Sequence, residues 1–232
     1  YGVDNDGAPL LASSDGSQVM MAWEKPYMEA LVGALEVQPF TDVLEIGFGL
    51  GFSAEAIQRC RPRSHTIIEC APAVLARLRG WASSRPGVIA VEGTWQAALP
   101  SLSSFDRVFF DDYPLATSGP PPPPPLSPSP PAGGAYHSRW HDFLDVLATE
   151  HLRPGALVTG YMAHDKVDLT RPDFRVTCRP FDVSVSPACT YFPHKTAVLP
   201  VMTYAGARAA PLPPPTSAFQ AAYTKHQGER AA

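Results

Sequence analysis

Residues 42–51 read DVLEIGFGLG, and this stretch decides the fold of the chain. The apolar run Val43–Ile46 predicts a buried strand, which three glycines at alternate positions then end. Glycine permits a tight turn and lets a ligand approach the backbone without meeting a Cβ atom. A second apolar run ends in Glu69, about 20 residues further on, where a carboxylate can accept hydrogen bonds from both hydroxyls of a ribose. Together these features predict a nucleoside-binding, Rossmann-like α/β domain.

Two cofactors compete for this glycine loop. Residues Gly49–Ala54 fit the dinucleotide pattern G-x-G-x-x-A, which alone is weak evidence. With Glu45 ahead of the glycines, the loop reads E-x-G-x-G-x-G and resembles motif I of S-adenosylmethionine methyltransferases. That resemblance implies that the acid orients the loop facing the methionine part of the cofactor, so S-adenosyl-L-methionine is the predicted cofactor. A helix start whose glycines serve packing alone is the third interpretation.

The composition restricts the class of protein. A chain of 232 residues suits one decorated α/β domain, and a net charge of −4 with a pI of about 6.0 argues against nucleic acid as a partner. No apolar run approaches the roughly 20 residues of a membrane span, and no signal peptide is visible. The four cysteines lack C-x-x-C spacing and are expected to be reduced, so a cytoplasmic protein is predicted. No spacing of ligand-type residues predicts a metal site.

The chain divides into four parts by composition. Residues 1–18 are rich in Gly, Ser and Asp and are expected to be irregular, and residues 19–205 form the predicted domain. A proline-rich insertion at 118–134 interrupts it, and a proline-rich tail follows at 206–232. Because proline lacks an N–H group and breaks helices, the insertion is predicted to be a surface loop. A weaker alternative makes it the ligand of a proline-recognising domain.

Strands and helices alternate within the predicted domain. The expected helices are 26–36, 54–59, 72–81 and 140–152. The expected strands are 42–46, 65–69, 87–91, 105–114 and 156–161, and β-like runs at 174–177, 181–185 and 196–204 would add a C-terminal β-hairpin. This order predicts a mostly parallel sheet with ligands at the carboxyl ends of its strands. Gly47–Gly51, Glu69, Thr94–Trp95 and Asp111–Tyr113 all fall at such ends, so four segments are expected to converge on one crevice.

Five blocks of the chain resemble guanidinoacetate N-methyltransferase, the enzyme family that makes creatine. The blocks keep their order along the domain and are Val19–Met28, Leu44–Gly49, His65–Cys70, Arg77–Trp81 and Phe110–Leu115. The fungal-type protein arginine δ-N-methyltransferases are similar as well, since they share the opening V-M-M-x-W-E and a G-x-W-Q block, here Gly93–Gln96. The resemblance implies a Rossmann-like S-adenosylmethionine-dependent methyltransferase fold.

The resemblance also implies roles for individual residues. Those expected to contact the cofactor are Met20, Met28, Gly47, Phe48, Gly49, Leu50, Gly51, Phe52, Glu69, Cys70, Thr94, Trp95 and Asp111. Glu24 and Asp111 match the two acids that grip the guanidino group. A free guanidinium has a pKa above about 12 and no available lone pair, so its methylation requires loss of a proton. A carboxylate can bind two N–H groups and accept that proton, so Asp111 is the predicted base and Glu24 the orienting acid.

The other residues expected at the acceptor site either differ from those of the family or match its motifs less closely. Asp112 stands where the family usually carries Thr, and this extra acid could bind a second cationic group or face water. His164 and Asp165 align with a Thr-Ser pair and would meet the tail of the acceptor. Tyr113 and His137 complete the set of predicted acceptor-binding residues.

The predicted function is therefore N-methylation of a small guanidino compound with S-adenosyl-L-methionine. The first alternative is methylation of arginine in proteins, for which a tethered acceptor would need an open groove. The second alternative is an inactive cofactor-binding scaffold whose polyproline loop recruits partners.

Overall fold

A computed structural model describes residues 1–113, 138–162 and 168–206 of the chain. The strands are β1 (Gly2–Val3), β2 (Pro9–Ala12), β3 (Gln18–Met21), β4 (Asp42–Ile46), β5 (Ser64–Glu69), β6 (Val88–Glu92), β7 (Phe105–Phe110), β8 (Leu152–Gly160), β9 (Phe174–Asp182) and β10 (Thr196–Tyr204). The helices are α1 (Lys25–Ala34), α2 (Phe52–Arg59), α3 (Pro72–Ala82), α4 (Trp95–Ala98) and α5 (Arg139–Glu150).

Seven strands form the central sheet in the order β6-β5-β4-β7-β8-β10-β9. All pairs from β6 to β8 are parallel, while β10 runs antiparallel to both β8 and β9. The predicted mostly parallel sheet with a C-terminal β-hairpin is thereby confirmed. Ile46 pairs with Ile68 on one side and with Phe110 on the other, so β4, β5 and β7 end level with one another. Gly47, Glu69 and the residues after Phe110 consequently meet at one edge.

The sheet is covered on both faces because side chains alternate along each strand. Val43 belongs to one apolar layer, together with Leu31 of α1 and Ile57 of α2. Its neighbour Leu44 belongs to the opposite layer, together with Phe143 of α5. All five side chains are fully buried, and each such burial contributes about 1.5–3 kcal/mol to folding. The two layers hold the carboxyl edge of the sheet rigidly in place.

The N-terminal segment, predicted to be irregular, instead forms a small antiparallel sheet of β1, β2 and β3. Its Asp and Gly residues make the turns between the strands, since the Asp4 carboxylate accepts the Ala8 N–H and Gly7 and Gly16 adopt positive φ. Leu11 pairs with Met20 across this sheet, and both side chains are buried. The turn-forming composition had therefore been mistaken for irregular chain.

Other element boundaries differ modestly from the prediction. The two β-like runs at 174–177 and 181–185 merge into the single strand β9. Strand β8 begins at Leu152 rather than at residue 156, and the register shift between Phe105 and Arg107 of β7 accommodates its Pro154-Gly155 stretch. Helix α4 was not anticipated, because four residues are too short for a helical period to show.

Several predictions fall outside the described residues. These concern the insertion at 118–134, the tail from residue 207 onward, and His137, His164 and Asp165. Within the part of the chain that the structure describes, no helix is both long enough and apolar enough to cross a membrane.

Candidate active site

A cavity of about 660 Å³ opens at the carboxyl edge of the sheet. Eleven of the residues predicted for the site line it, namely Met20, Glu24, Gly47, Gly49, Glu69, Cys70, Thr94, Trp95, Asp111, Asp112 and Tyr113. The small N-terminal sheet supplies part of the wall through Leu11 and Gln18. The convergence of four segments predicted from the sequence is confirmed.

The glycine loop after β4 is shaped by close backbone contacts. Gly47 has a φ of +81°, and a Cβ atom there would lie 2.2 Å from the carbonyl oxygen of Asp111. At Gly49, a Cβ atom would lie 2.7 Å from the Met20 sulfur, which also accepts the Leu50 N–H at 3.3 Å. A side chain at Gly47 would therefore collide with the backbone after β7, whereas at Gly49 the positive φ of +51° and the contact with Met20 both favour glycine.

Glu69 is oriented by three backbone N–H groups. Its Oε2 accepts the N–H of Phe48 at 3.0 Å, and its Oε1 accepts those of Cys70 at 2.8 Å and Ala71 at 2.7 Å. The side chain is buried but faces the cavity. A carboxylate offers about four acceptor positions, so capacity remains for a ligand hydroxyl.

Glu45, the acid of the glycine motif, does not reach the cavity wall. It is fully buried beneath the loop, where it accepts a hydrogen bond from Ser53 in the first turn of α2 and lies 2.8 Å from Nε2 of His65. Gln58 contacts the other ring nitrogen of His65 at 3.2 Å. This buried network ties the start of α2 to β4 and β5, and it fixes the path of the loop.

Five predicted cofactor residues do not line the cavity, namely Met28, Phe48, Leu50, Gly51 and Phe52. Met28 has no exposed surface and packs in the apolar layer of α1. The ring of Phe48 lies 5.3 Å from that of Trp81, and Phe52 packs against the same layer. The apolar side chains among them stabilise the loop from the core side.

Glu24 comes from the turn between β3 and α1 and is only 3% exposed. Its Oε1 accepts the backbone N–H of Met21 at 3.0 Å and the hydroxyl of Tyr191. Burial raises the pKa of Glu24 to about 7, although both hydrogen bonds act in the opposite direction. Near neutral pH this carboxyl is therefore poised between its two protonation states.

Asp111 lies directly after β7, where its N–H donates to the carbonyl of Ile46 at 3.0 Å. Burial, followed by the nearby carboxylates of Glu24 and Glu45, raises the pKa of Asp111 well above its ordinary value. Among the described residues, no ion pair or hydrogen bond engages the carboxyl of Asp111, and no cation pairs with Glu24. We call Glu24 and Asp111 the acidic end of the cavity.

Asp112 is engaged in a different way from its neighbour. Its Oδ2 accepts the indole N–H of Trp95 at 3.0 Å and is ion-paired with the guanidinium of Arg139 at the start of α5. The second cationic group that the sequence suggested for this acid is thus one of the protein's own side chains. Tyr113 lies at the rim and is 40% exposed. We call Asp112, Arg139 and Trp95 the paired end.

Sequence reasoning did not assign six polar residues that line the cavity, namely Ser13, Gln18, Gln96, Arg139, Tyr161 and Tyr191. Tyr191 reaches Glu24 from 167 positions away, and Arg139 reaches Asp112 from 27 positions away. No local pattern marks such long-range contacts. In the described ranges, no group of three or more His, Cys, Asp or Glu residues is arranged to hold a metal ion.

Comparisons with known proteins agree with this geometry. The sequence model of the guanidinoacetate N-methyltransferase family matches residues 11–120. Protein arginine N-methyltransferase 2 of Emericella nidulans is 38% identical over 109 residues, covering 44% of this chain and 25% of that protein. Its counterpart in Saccharomyces cerevisiae is 36% identical over 108 residues, covering 44% and 26%. The chain thus spans about a quarter of the length of these relatives.

Solved structures with the same fold are methyltransferases at low sequence identity. Precorrin-6y C5,15-methyltransferase from Geobacter metallireducens has a TM-score of 0.53 at 15% identity, covering 88% of this chain and 97% of that one. TYW2 of M. jannaschii, solved in complex with AdoMet, has a TM-score of 0.51 at 14% identity over 88% and 87%. An O-methyltransferase from Bacillus cereus, in complex with SAH, has a TM-score of 0.51 at 13% identity over 77% and 80%.

These matches confirm two predictions. The described domain has the Rossmann-like methyltransferase fold. The resemblance to guanidinoacetate N-methyltransferases and to fungal protein arginine N-methyltransferases is also confirmed over somewhat less than half of the chain, and the family match at 11–120 includes the glycine loop and both acids of the acidic end.

Proposed function

We propose that this S-adenosylmethionine-dependent methyltransferase domain transfers a methyl group to a nitrogen of a guanidino group held by Glu24 and Asp111. One observation carries the proposal: the buried carboxyl of Glu24 and the partly buried carboxyl of Asp111, without a cation among the described residues, face the cavity that the glycine loop borders. A cationic acceptor would supply the missing positive charge. A guanidinium also supplies a planar fork of N–H groups that matches carboxylate geometry.

The cavity fits S-adenosyl-L-methionine by shape and by donor set. Gly47 and Gly49 line the cavity with backbone alone, and the oriented carboxylate of Glu69 retains acceptor capacity for ribose hydroxyls. Thr94 and Cys70 line the same wall and would contact the base. The bound cofactor supplies a methyl group already activated on a sulfonium, so the protein's contribution is to orient the acceptor and to remove a proton.

The acidic end is tuned for a cation. Burial raises the pKa of both carboxyls, and the nearby charge of Glu24 raises the pKa of Asp111 further. A guanidinium placed between them would lower both pKa values and stabilise the doubly ionised state. Binding of the acceptor would therefore release protons at neutral pH. A neutral acceptor would obtain no such stabilisation.

Asp111 is the base in this proposal and Glu24 the orienting acid. Asp111 follows β7 directly, and its backbone is in contact with Gly47 of the cofactor loop, whereas Glu24 is tied by two hydrogen bonds on one oxygen. As the new N–C bond forms and the methyl–sulfur bond breaks, one N–H proton would pass to the Asp111 carboxylate, which acts as the general base. Orientation of the two reactants contributes further, by up to about 7–11 kcal/mol in well-aligned systems.

Two acceptor classes fit the acidic end. A small guanidino compound is supported by the match to the guanidinoacetate N-methyltransferase family. An arginine side chain of a protein is supported by the names of the relatives that are 36% to 38% identical. Both present the same guanidinium, so Glu24 and Asp111 would act alike on either.

A mass-spectrometric assay separates these possibilities. The protein is incubated with methyl-labelled S-adenosylmethionine and guanidinoacetate, free arginine, an arginine peptide, or a lysine peptide as the control. Label on a guanidino nitrogen supports the proposal and identifies the acceptor class, whereas label on the lysine peptide alone contradicts it. If S-adenosylhomocysteine raises the melting temperature, NAD does not, and no guanidine is labelled, the scaffold alternative is favoured.

A further inference from the structure

The connection between β9 and β10, residues 183–195, lies along the acidic end of the cavity, and we call it the strap. Its base is closed by the Val183 N–H, which donates to the Lys195 carbonyl at 2.9 Å. Phe192 anchors it to the domain, because this residue is 2% exposed and its ring lies 5.1 Å from that of Trp23. Tyr191, the residue before Phe192, lines the cavity. The strap is therefore a structured part of the site.

Gln18 of β3 fastens the strap a second time. Its side-chain amide donates to the Ala188 carbonyl at 2.8 Å, and its Oε1 accepts the Thr190 N–H at 2.8 Å. The side-chain amide of Gln18 thus donates one hydrogen bond to the strap backbone and accepts another from it, as a backbone peptide group does in a β-sheet. Since β3 leads directly into the turn that carries Glu24, Gln18 keeps the strap and that turn in fixed register.

Tyr191 makes the one side-chain hydrogen bond to Glu24 in the described residues. Its hydroxyl donates to Oε1, the oxygen that also accepts the Met21 N–H. Oε2 has no partner within the described ranges, although the residue is almost completely buried. Two donors on one oxygen fix the plane of the carboxylate and leave its second oxygen for a ligand.

We infer that Tyr191 is a positioning residue, whose hydroxyl holds Glu24 in the orientation that presents Oε2 to the guanidino acceptor. The inference rests on the proposed function for the identity of the acceptor. It assigns the strap a role in acceptor binding, which none of the sequence motifs indicated. A hydrogen bond to the ionised carboxyl also favours that charged state, so loss of the hydroxyl should leave Glu24 protonated to a higher pH.

Four titratable groups face Glu24 from the elements around it: Asp111 after β7, Tyr27 of α1, Tyr161 after β8 and Tyr191 of the strap. Burial raises the pKa of each tyrosine above its ordinary value of 10.0. The tyrosines therefore stay neutral between pH 5 and pH 9. Of these groups, only the carboxyls of Glu24 and Asp111 change their protonation state in that pH range.

The test compares Tyr191→Phe with Tyr204→Phe, a matched loss of a hydroxyl that donates to the Ala148 carbonyl far from Glu24. The Glu24 carboxyl is titrated by ¹³C NMR in the acceptor-free protein, with Glu24→Gln to assign the signal. We expect the titration midpoint to move upward by about one pH unit in Tyr191→Phe and to stay unchanged in Tyr204→Phe. In kinetics, the acid limb of kcat/KM should move in the same direction, with KM for the acceptor changing more than kcat and with unchanged affinity for S-adenosylhomocysteine.

Gln18→Ala is the second variant and is expected to shift the midpoint upward by a smaller amount, because it loosens the strap without removing the hydroxyl. A midpoint in Tyr191→Phe equal to that of the wild type overturns the inference. If Tyr191→Phe does not fold, an unshifted midpoint in Gln18→Ala overturns it instead. Failure of the wild type to methylate any guanidine would refute the proposed function, whereas the NMR titration would still decide the role of Tyr191.

Discussion

The two ends of the cavity solve the same electrostatic problem in opposite ways. At the paired end, Asp112 is neutralised by Arg139 and by the indole N–H of Trp95. At the acidic end, Asp111 and Glu24 have no cation among the described residues, and each has a raised pKa. Asp111 and Asp112 are adjacent in the chain, so the environment rather than the residue type decides the role of each.

The difference has a stability cost. Keeping the buried carboxyl of Glu24 close to the partly buried carboxyl of Asp111 without a counter-ion is unfavourable, and proteins retain such arrangements mainly at functional sites. The ion pair at the other end removes this cost and needs no ligand. The comparison therefore predicts that substitutions at the acidic end impair the reaction, whereas substitutions at the paired end affect mainly the protein itself.

The largest expected effect is that of Asp111→Asn. This change keeps the size of the side chain but removes its basicity, so kcat should fall by about 10²–10⁴, the usual contribution of an acid–base group. Steady-state kinetics on the best guanidino acceptor measure it, and calorimetry with S-adenosylhomocysteine should show unchanged cofactor affinity. Asp112→Asn is the matched control and should keep most of the activity. The reverse pattern would assign the base to Asp112 and break the comparison.

Glu24→Gln should act mainly on acceptor affinity. It removes a charge-assisted hydrogen bond worth about 1.5–3 kcal/mol, so KM for the acceptor should rise by about 10- to 100-fold with a smaller fall in kcat. The wild-type kcat/KM should decline as the pH falls below about 7, because the acid form of Glu24 cannot accept the guanidinium. A KM indistinguishable from that of the wild type would remove Glu24 from the acceptor site.

The acidic end should also make the ligand-free protein less stable as the pH rises. The pKa of Glu24 is raised from 4.5 to about 7, so its contribution is fully present below pH 4.5 and is lost as the pH rises through about 7. The loss between pH 5 and pH 8 is on the order of 2 kcal/mol. Urea denaturation of wild type and Glu24→Gln should show this pH dependence in the wild type and a weaker one in the variant.

Asp42 supplies a contrast outside that pH window. Hydrogen bonding from Arg63 holds the pKa of Asp42 well below its ordinary value of 3.8. Its contribution to stability is therefore present above pH 3.8 and is lost only at lower pH. The ionisation of Asp42 therefore does not change the free energy of unfolding between pH 5 and pH 8. Equal slopes for wild type and Glu24→Gln in that range would contradict the assignment of the pH dependence to Glu24.

The smallest effect is expected at the paired end. The Arg139 side chain is 43% exposed, so a double-mutant cycle of Asp112→Asn and Arg139→Ala should give a coupling free energy of about 0.2–1 kcal/mol. Thermal denaturation of the four proteins measures it. Neither substitution should alter KM for the acceptor by more than about twofold. A tenfold rise in KM with Asp112→Asn would show that this acid contacts the acceptor and that the two ends are not distinct.

Local patterns were sufficient to predict the parts of the fold that depend on neighbours in sequence. The glycine loop, the strands that end at Ile46 and Glu69, and the C-terminal hairpin all follow from runs of apolar residues and the turns between them, whereas β7 ends at Phe110 rather than at residue 114 as predicted. Motif positions also located Glu24 and Asp111 at the cavity. Their contrasting environments could not be predicted, because burial and counter-ions come from distant segments.

The family resemblance and the turn composition each misled the prediction at one place. The resemblance implied that Met28 would line the cofactor, but the structure places this side chain in the core. The Gly, Ser and Asp residues of the first 18 positions are typical of irregular chain, yet here they make the turns of a small sheet whose Leu11 packs in the core. In both cases tertiary contacts decided the outcome.

The most direct test of the acidic end is calorimetric binding of acceptors to the protein saturated with S-adenosylhomocysteine. Guanidinoacetate and an arginine peptide are each compared with the urea isostere, in which an oxygen replaces one nitrogen and the positive charge is lost. Titrations at pH 7 in two buffers of different ionisation enthalpy count the protons exchanged. The account predicts that at least one guanidino compound binds with proton release, at least tenfold more tightly than its isostere, and that Glu24→Gln reduces the release. Equal affinity for guanidine and urea, without proton release, would contradict it.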